Sequence, residues 1–331
     1  MKIYIDTTDA NGWTDGVTHG QLFSKLPGLT TQLGAADVAI IESVCHPKYQ
    51  FNHTLNRLKH TRKPWVHIDY TEWGWNWDFT KDNVLGRTDC YPCTQFDNHD
   101  WGTLKQFIQD YPPILTFQRD LMQRDVGERL IPIDFLAYMD REPVATLEEY
   151  SSRPYDVTYV WGYSHPLRPK MHSEIFEAMG TQNVEVLSSF EMLGGHAKSQ
   201  VVDGHQTWVS IFSPHWVRKP MSEVFAVQRK GRCSICLPGA GFKCFREQEA
   251  PNNALMFMLE NDLARAYPWR DGENCITIRS DHLFFDVFMA TQTIPMNELH
   301  ELYVEGQATL DRYRAHNYIP NYVIRNIEKR L

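Results

Sequence analysis

The chain has no apolar run approaching the ~18 to 20 residues that span a bilayer, no basic excess and no low-complexity tract. The first absence predicts a protein without membrane spans. The charge balance is 33 Lys plus Arg against 41 Asp plus Glu, a formal net charge of -8. That disfavours DNA as a partner, because a protein that grips nucleic acid broadly must neutralise its phosphates. Cysteine is sparse: seven, an odd number, scattered over 331 residues. Several, such as Cys236 and Cys244, sit inside apolar runs, as reduced thiols of a cytosol do and the cross-links of a disulfide scaffold do not. The N-terminal MKIYIDTTD meets an acid at its sixth position and lacks the apolar core of a secretory signal. The expected location is cytoplasmic, with the first strand starting almost at Met1.

What is present is the material of two globular α/β halves. A hydrophobic content of 42% with 13% aromatic residues suits ordinary cores, and the length fits two domains. Short continuous apolar runs recur at 2–6, 37–43, 64–69, 112–117 and 129–135, then at 156–162, 184–187, 207–212, 233–237, 254–259 and 274–278. Continuous rather than alternating hydrophobicity predicts parallel strands covered on both faces by helices. The polar, breaker-rich stretch MDREPVATLEEYSSRP at 139–154 reads as the connection, giving domains of 1–150 and 151–331. The pattern from Met296 onward is helical, with a break expected at Pro320. Two such halves face each other across a cleft, and ligands of open α/β sheets bind beyond the carboxyl ends of strands.

The segment ICLPGAGFKCFREQEAPNNALMFM at 235–258 concentrates the chemistry. A buried strand leads into a Pro/Gly turn whose bare backbone a ligand can approach, and then into a helix whose first N–H groups face an anion. Lys243, Arg246 and Glu249 share roughly one helical face. Cations at a helix start oppose its macrodipole, a conflict that a bound diphosphate would relieve. The plainer alternative is an exposed helix start with an Arg246–Glu249 ion pair.

This segment resembles the donor-binding segment of GT-B type glycosyltransferases, including exostosin-like ones, closely over about two dozen residues and elsewhere only as architecture. The resemblance implies two Rossmann-like domains: an acceptor-side domain at 1–150 and a nucleotide-sugar-binding domain with terminal helices at 151–331. It implies a UDP- or GDP-sugar as co-substrate, with no further cofactor and no metal, since no Asp-x-Asp hook stands in a matching context. Gly239, Ala240 and Gly241 would hold phosphate, Arg246 would add charge at the diphosphate, and Glu249 would bind the ribose hydroxyls; beside them, Lys243 is a further cation for the leaving diphosphate. Asn252 and Asn253 depart from the glycine that the family often has before its next strand. The loop VWGYSHPLRPK at 160–170 resembles the family's other phosphate-reaching loop, with Gly162 and Ser164 offering N–H and hydroxyl groups and Arg168 and Lys170 charge. An Arg fork suits phosphate oxygens well; the alternative is an ordinary polar connection.

The first half then supplies the acceptor hydroxyl's base, a carboxylate or His. Asp69 and Glu72 stand in PWVHIDYTEWGWNWDF among Trp65, Trp73, Trp75 and Trp77, rings that stack sugars or bases and exclude water, or that simply pack a core. Asp15 and His19, in the Gly-rich loop after the first strand, compete with them. The Cys90/Cys93 and Cys233/Cys236 pairs have zinc-hook spacing, but strand alternation points Cys233 and Cys236 to opposite faces. The expected activity is metal-independent sugar transfer from a nucleotide-sugar to a glycan or other hydroxyl acceptor. The alternatives are transfer to a modified base in DNA, such as a hydroxymethylated pyrimidine, and a non-catalytic nucleotide- or glycan-binding protein of the same fold.

Overall fold

A computed structural model describes residues 1–6, 28–43, 51–69, 107–137, 139–161, 167–179, 184–188, 195–202, 205–212, 221–239 and 243–331. The chain divides into two compact units, one formed by 1–138, 262–268 and 312–331, the other by 139–261 and 269–311.

The first unit is built on five parallel strands, β1 (Ile3–Asp6), β2 (Val38–Ser43), β3 (Trp65–Asp69), β4 (Leu115–Gln118) and β5 (Leu130–Pro132), which lie side by side in chain order. All five residues of β3 are buried, which is why its run is continuous rather than alternating. On one face Leu33, Ala39, Ile41 and Trp65 pack with Leu58 of α1 (Phe51–Thr61) and with Phe107 and Ile108. Trp65 is 1% exposed, 5.4 Å from the Phe107 ring, and donates from Nε1 to the Tyr111 carbonyl at 2.9 Å. Of its two expected uses it therefore serves the core, not a ligand platform.

Later parts of the chain complete this unit. Residues 262–268 attach through Gln123 N to the Asp262 carbonyl, Ala264 N to the Leu121 carbonyl, and Ala266 N to Asp134 Oδ2 at 2.9 Å. From the C-terminal segment, Tyr318 Oη accepts from Asp134 N at 2.9 Å and Tyr322 donates to the Pro132 carbonyl at 2.8 Å. The expected break at Pro320 is displaced: the helix Met296–Tyr313 ends before the extended Arg314, and Pro320 lies inside a π-helical turn, Ile319–Ile324. A wider turn relieves the clash of a proline ring with the preceding carbonyls, so the ring is accommodated without a break.

The second unit is a parallel sheet of β6 (Tyr155–Trp161), β7 (Val184–Ser188), β10 (Gly231–Cys236), β11 (Leu255–Leu259) and β12 (Ile276–Ile278) in the order β12-β11-β10-β6-β7. Its helices are α2 (Leu147–Ser151), α3 (Leu167–Met179), α4 (Met221–Gln228), α5 (Arg246–Asn253), α6 (Leu283–Thr293) and α7 (Met296–Tyr313). One sheet face, with Tyr159, Cys233, Ile235, Leu255, Phe257 and Ile276, packs on Met171 and Ile175 of α3, Val287 of α6 and Tyr303 of α7. The other face carries Cys236, Met256 and Met258 against Ala250 of α5. Cys233 and Cys236 thus face opposite sides of the sheet, as strand alternation requires. Cys90 and Cys93 lie outside the described residues.

The run at 207–212 is no member of this parallel series. It belongs to β9 (His205–Phe212), which pairs antiparallel with β8 (Gly195–Val202) in a separate two-stranded ribbon. The capping box at Thr146, whose hydroxyl accepts from Glu149 N while its own N–H reaches Glu149 Oε2, starts α2. Tyr150 then stacks on Tyr303 at 5.2 Å, with the Arg153 guanidinium over both rings.

The close approach of β10 to β6 makes Gly231 a tight position. A Cβ there would stand 2.8 Å from Thr158 Cγ2, 2.9 Å from the Cys233 carbonyl and 3.0 Å from Thr158 N. Gly231→Ala is expected to cost about 1–3 kcal/mol through overpacking and to lower the melting temperature by several degrees. An unchanged melting curve would contradict this account of strand spacing.

Candidate functional site

The strand order of the second unit reverses between β6 and β10: β6 is followed by α3 and β7 on one side, while β10, β11 and β12 extend on the other. Such a reversal opens a crevice at the carboxyl ends of the two strands, because the crossovers leave in opposite directions. Among the described strands of the first unit the order runs β1 to β5 without reversal. Arg168, in the helix after β6, and Gly239 and Arg246, after β10, follow the two strands of the reversal.

Two arginines cross it in opposite senses. Arg168, in the first turn of α3 after β6, donates from Nε to the Pro238 carbonyl at 2.8 Å and from Nη2 to the Leu237 carbonyl at 3.1 Å, both in the turn after β10. Arg246, the first residue of α5 after β10, donates from Nη1 to the Val160 carbonyl near the end of β6. Each side of the reversal is tied to the other by a charged donor, a stronger bond than a neutral pair provides. Tyr159 buttresses the arrangement by donating its hydroxyl to the Arg168 carbonyl at 3.1 Å. Burial pushes that phenol far above its ordinary range, only partly offset by Arg168 and Arg246, so it is a neutral donor.

Lys243 is 1% exposed and Gly239 is buried. Glu249 is 6% exposed, with Oε2 3.6 Å from Arg246 Nε. The ion pair named as the plainer alternative is therefore present, but inside the protein rather than in solvent. The macrodipole conflict at this helix start is also smaller than charge placement alone implies. Glu247 and Glu249 occupy the first turn and Arg246 is drawn to the Val160 carbonyl. Among the described residues, Arg168, Lys243 and Arg246 stand against Glu247 and Glu249, one more cation than anion.

The asparagines that replace the expected glycine close the far end of α5. Asn253 donates from Nδ2 to Gln228 Oε1 at 3.0 Å and to the Glu249 carbonyl at 2.8 Å, and accepts from Arg229 at 3.3 Å. Asn252 donates to the Asp140 carbonyl at 3.0 Å. They fix the helix to its surroundings. Lys170 points its ammonium to the Ser280 carbonyl at 3.0 Å and to Glu174 at 3.7 Å.

Gly162, Ser164, Ala240 and Gly241 lie outside the described residues, as do Asp15, His19 and Glu72. Asp69 is described: it ends β3 in the first unit, is 1% exposed, pairs in register with Ser43 and Gln118, and accepts from Arg119 N at 3.0 Å on its carbonyl. Among the described residues no group of three or more His, Cys, Asp or Glu side chains is placed to hold a metal ion. No helix of the described residues is long and apolar enough to cross a membrane.

No family model and no curated relative matches the chain. Among solved structures it is similar to TarM, at 8% identity and a TM-score of 0.51 over 86% of this chain and 54% of that one. It is also similar to a UDP-forming α,α-trehalose-phosphate synthase from Burkholderia vietnamiensis, at 12% identity and a TM-score of 0.50 over 93% and 76%. The chain spans about half the length of TarM. At these identities the likeness is one of fold: an α/β chain of GT-B type, with two Rossmann-like domains.

Proposed function

We propose that this chain is a glycosyltransferase that seats a nucleotide-sugar, UDP- or GDP-linked, in the β6/β10 crevice and passes the sugar to an acceptor hydroxyl without a metal. The observation that carries this reading is the pair of arginines crossing the strand reversal beside a buried Lys243 and Glu249. Arg168, Lys243 and Arg246, with N–H groups of Gly239, Ala240 and Gly241 and the Gly162 and Ser164 loop, would stabilise charge on the departing diphosphate. Fixed donors in a dry site do this without reorganising during the reaction. Glu249 would accept from the ribose hydroxyls. The domain at 1–150 would present the acceptor, with Asp69, Glu72, Asp15 and His19 as the candidate bases. The setting is a reducing cytoplasm.

Native mass spectrometry and calorimetry with UDP, GDP and a panel of their sugars test the donor site before any acceptor is known. Binding is expected with one nucleotide series, and Glu249→Ala should weaken it about tenfold by removing a charged acceptor. Chelation of metals should leave binding and transfer unchanged. Failure of every nucleotide and nucleotide-sugar to bind would overturn the reading. Binding with no hydrolysis or transfer on any acceptor would favour the non-catalytic alternative.

A further inference from the structure

We propose that Cys236 and Cys244 form a reversible modification site, a dithiol that a low-molecular-weight disulfide oxidises to an intrachain disulfide enclosing Leu237 and Pro238. Cys236 is the last residue of β10 and Cys244 lies two residues before α5. Their sulfurs are 3.9 Å apart, within hydrogen-bonding reach of each other, and the Cys244 sulfur is 3.6 Å from the Leu237 carbonyl. Cys236 is buried, whereas Cys244 is half-buried.

The two thiols differ in the way a nucleophile and its resolving partner differ. The hydrogen bond from Cys236 holds the Cys244 thiol below its ordinary range, with Arg168 and Arg246 assisting against burial. Burial pushes Cys236 well above that range. Cys233 and Cys275 are fully buried, and burial raises Cys233 to about 12. They serve as internal controls.

The chemistry balances as two exchanges. The Cys244 thiolate attacks one sulfur of the small disulfide, forming a mixed disulfide and releasing one small thiolate. Cys236 then gives up its proton to solvent and attacks the Cys244 sulfur, forming the Cys236–Cys244 bond and releasing the second thiolate. The protein dithiol loses two electrons and the small disulfide gains them. Bond formation draws the sulfurs from 3.9 Å to about 2 Å. The Leu237 and Pro238 carbonyls held by Arg168 lie inside the closed loop, so closure pulls the turn against that tether. On the donor-site reading given above, the oxidised protein binds nucleotide about tenfold more weakly, a change equivalent to 1.4 kcal/mol.

The test treats the full chain with oxidised glutathione, blocks remaining thiols with N-ethylmaleimide and digests with trypsin without reduction. The expected product joins the peptide 233–243, its Cys233 carrying one N-ethylmaleimide, to the peptide 244–246, two hydrogens lighter than the sum of those two peptides. Dithiothreitol should separate it. Cys233→Ser should retain the link, and Cys236→Ser and the half-buried Cys244→Ser should each abolish it. Absence of the link, its persistence in Cys236→Ser, or a stable glutathione adduct on Cys244 alone would overturn the site. Affinity for UDP and GDP, measured before and after oxidation, should fall in the parent and not in Cys244→Ser; a linked protein with unchanged affinity would overturn the effect on the turn. If the reduced protein binds no nucleotide while the link forms, the donor reading fails and the modification site stands.

Discussion

An Arg168→Ala protein is expected to bind UDP or GDP about a hundredfold more weakly than the parent and to melt at a lower temperature. The guanidinium supplies charged hydrogen bonds to two consecutive carbonyls, Leu237 and Pro238, from a side chain that is almost wholly buried. A charged hydrogen bond contributes about 1.5–3 kcal/mol, and removing the donor leaves its buried acceptors unsatisfied. Both costs fall on the turn that the donor phosphates are proposed to occupy. Arg168→Lys separates charge from geometry: an ammonium keeps the charge but is a compact point donor that lacks the planar fork. It should recover about tenfold of the lost affinity and only part of the lost stability. Calorimetric titration with the two nucleotides and a thermal melt of each variant decide the matter. Full affinity in Arg168→Ala would remove the turn after β10 from the donor site.

The second large effect belongs to the first unit and to pH. His67 sits in the middle of β3, fully buried beside the Trp65 ring at 6.0 Å, and burial depresses its pKa from 6.5 to about 3. The folded protein therefore keeps a neutral imidazole where the unfolded chain takes up a proton. This stabilising contribution is intact above pH 6.5 and is lost as pH falls from 6.5 toward 3, since the unfolded state then binds the extra proton. The loss is a little over 1 kcal/mol per pH unit, on the order of 5 kcal/mol across the window. Urea midpoints between pH 7.5 and 4.5 should show a slope that flattens by about one proton in His67→Gln. Carboxylates titrate in the same window, so the difference between the two proteins isolates His67. Parallel slopes would contradict a buried neutral imidazole.

The parallel sheets were legible because both of their faces are buried. VAIIES, WVHID and LMFML each run through at least four successive apolar or uncharged residues, and so short a continuous run bounded by turn signals fits a strand buried on both faces. The ribbon strand β8, GHAKSQVV, has too few apolar residues to announce itself, and the run TWVSIF in its partner β9 has the same pattern as the parallel strands. The reversal between β6 and β10 was not legible at all, since strand order is decided by crossovers and leaves no local trace. The phosphate-friendly turn could be read from its glycines and basic residues. The arginine tethers could not: Arg168 and Arg246 bind main-chain carbonyls 70 and 86 residues away, and a carbonyl has no residue type to recognise. The roles of Asn252 and Asn253 were hidden for a related reason, because their partners Asp140 and Gln228 come from distant segments.

The first unit takes residues from three stretches of the chain, the last of them 312–331. A ribosome makes that stretch after both parts of the second unit, 139–261 and 269–311, have been synthesised. The strands β1 to β5 emerge early but must wait for Tyr318 to reach the Asp134 N–H, Tyr322 to reach Pro132 and Arg330 to reach the Glu128 carbonyl. The unit translated first is thus completed last, against the usual order in which N-terminal domains fold ahead of the rest. A nascent chain stalled at about residue 311 would carry a second unit with all its segments in hand and a first unit still open to proteases.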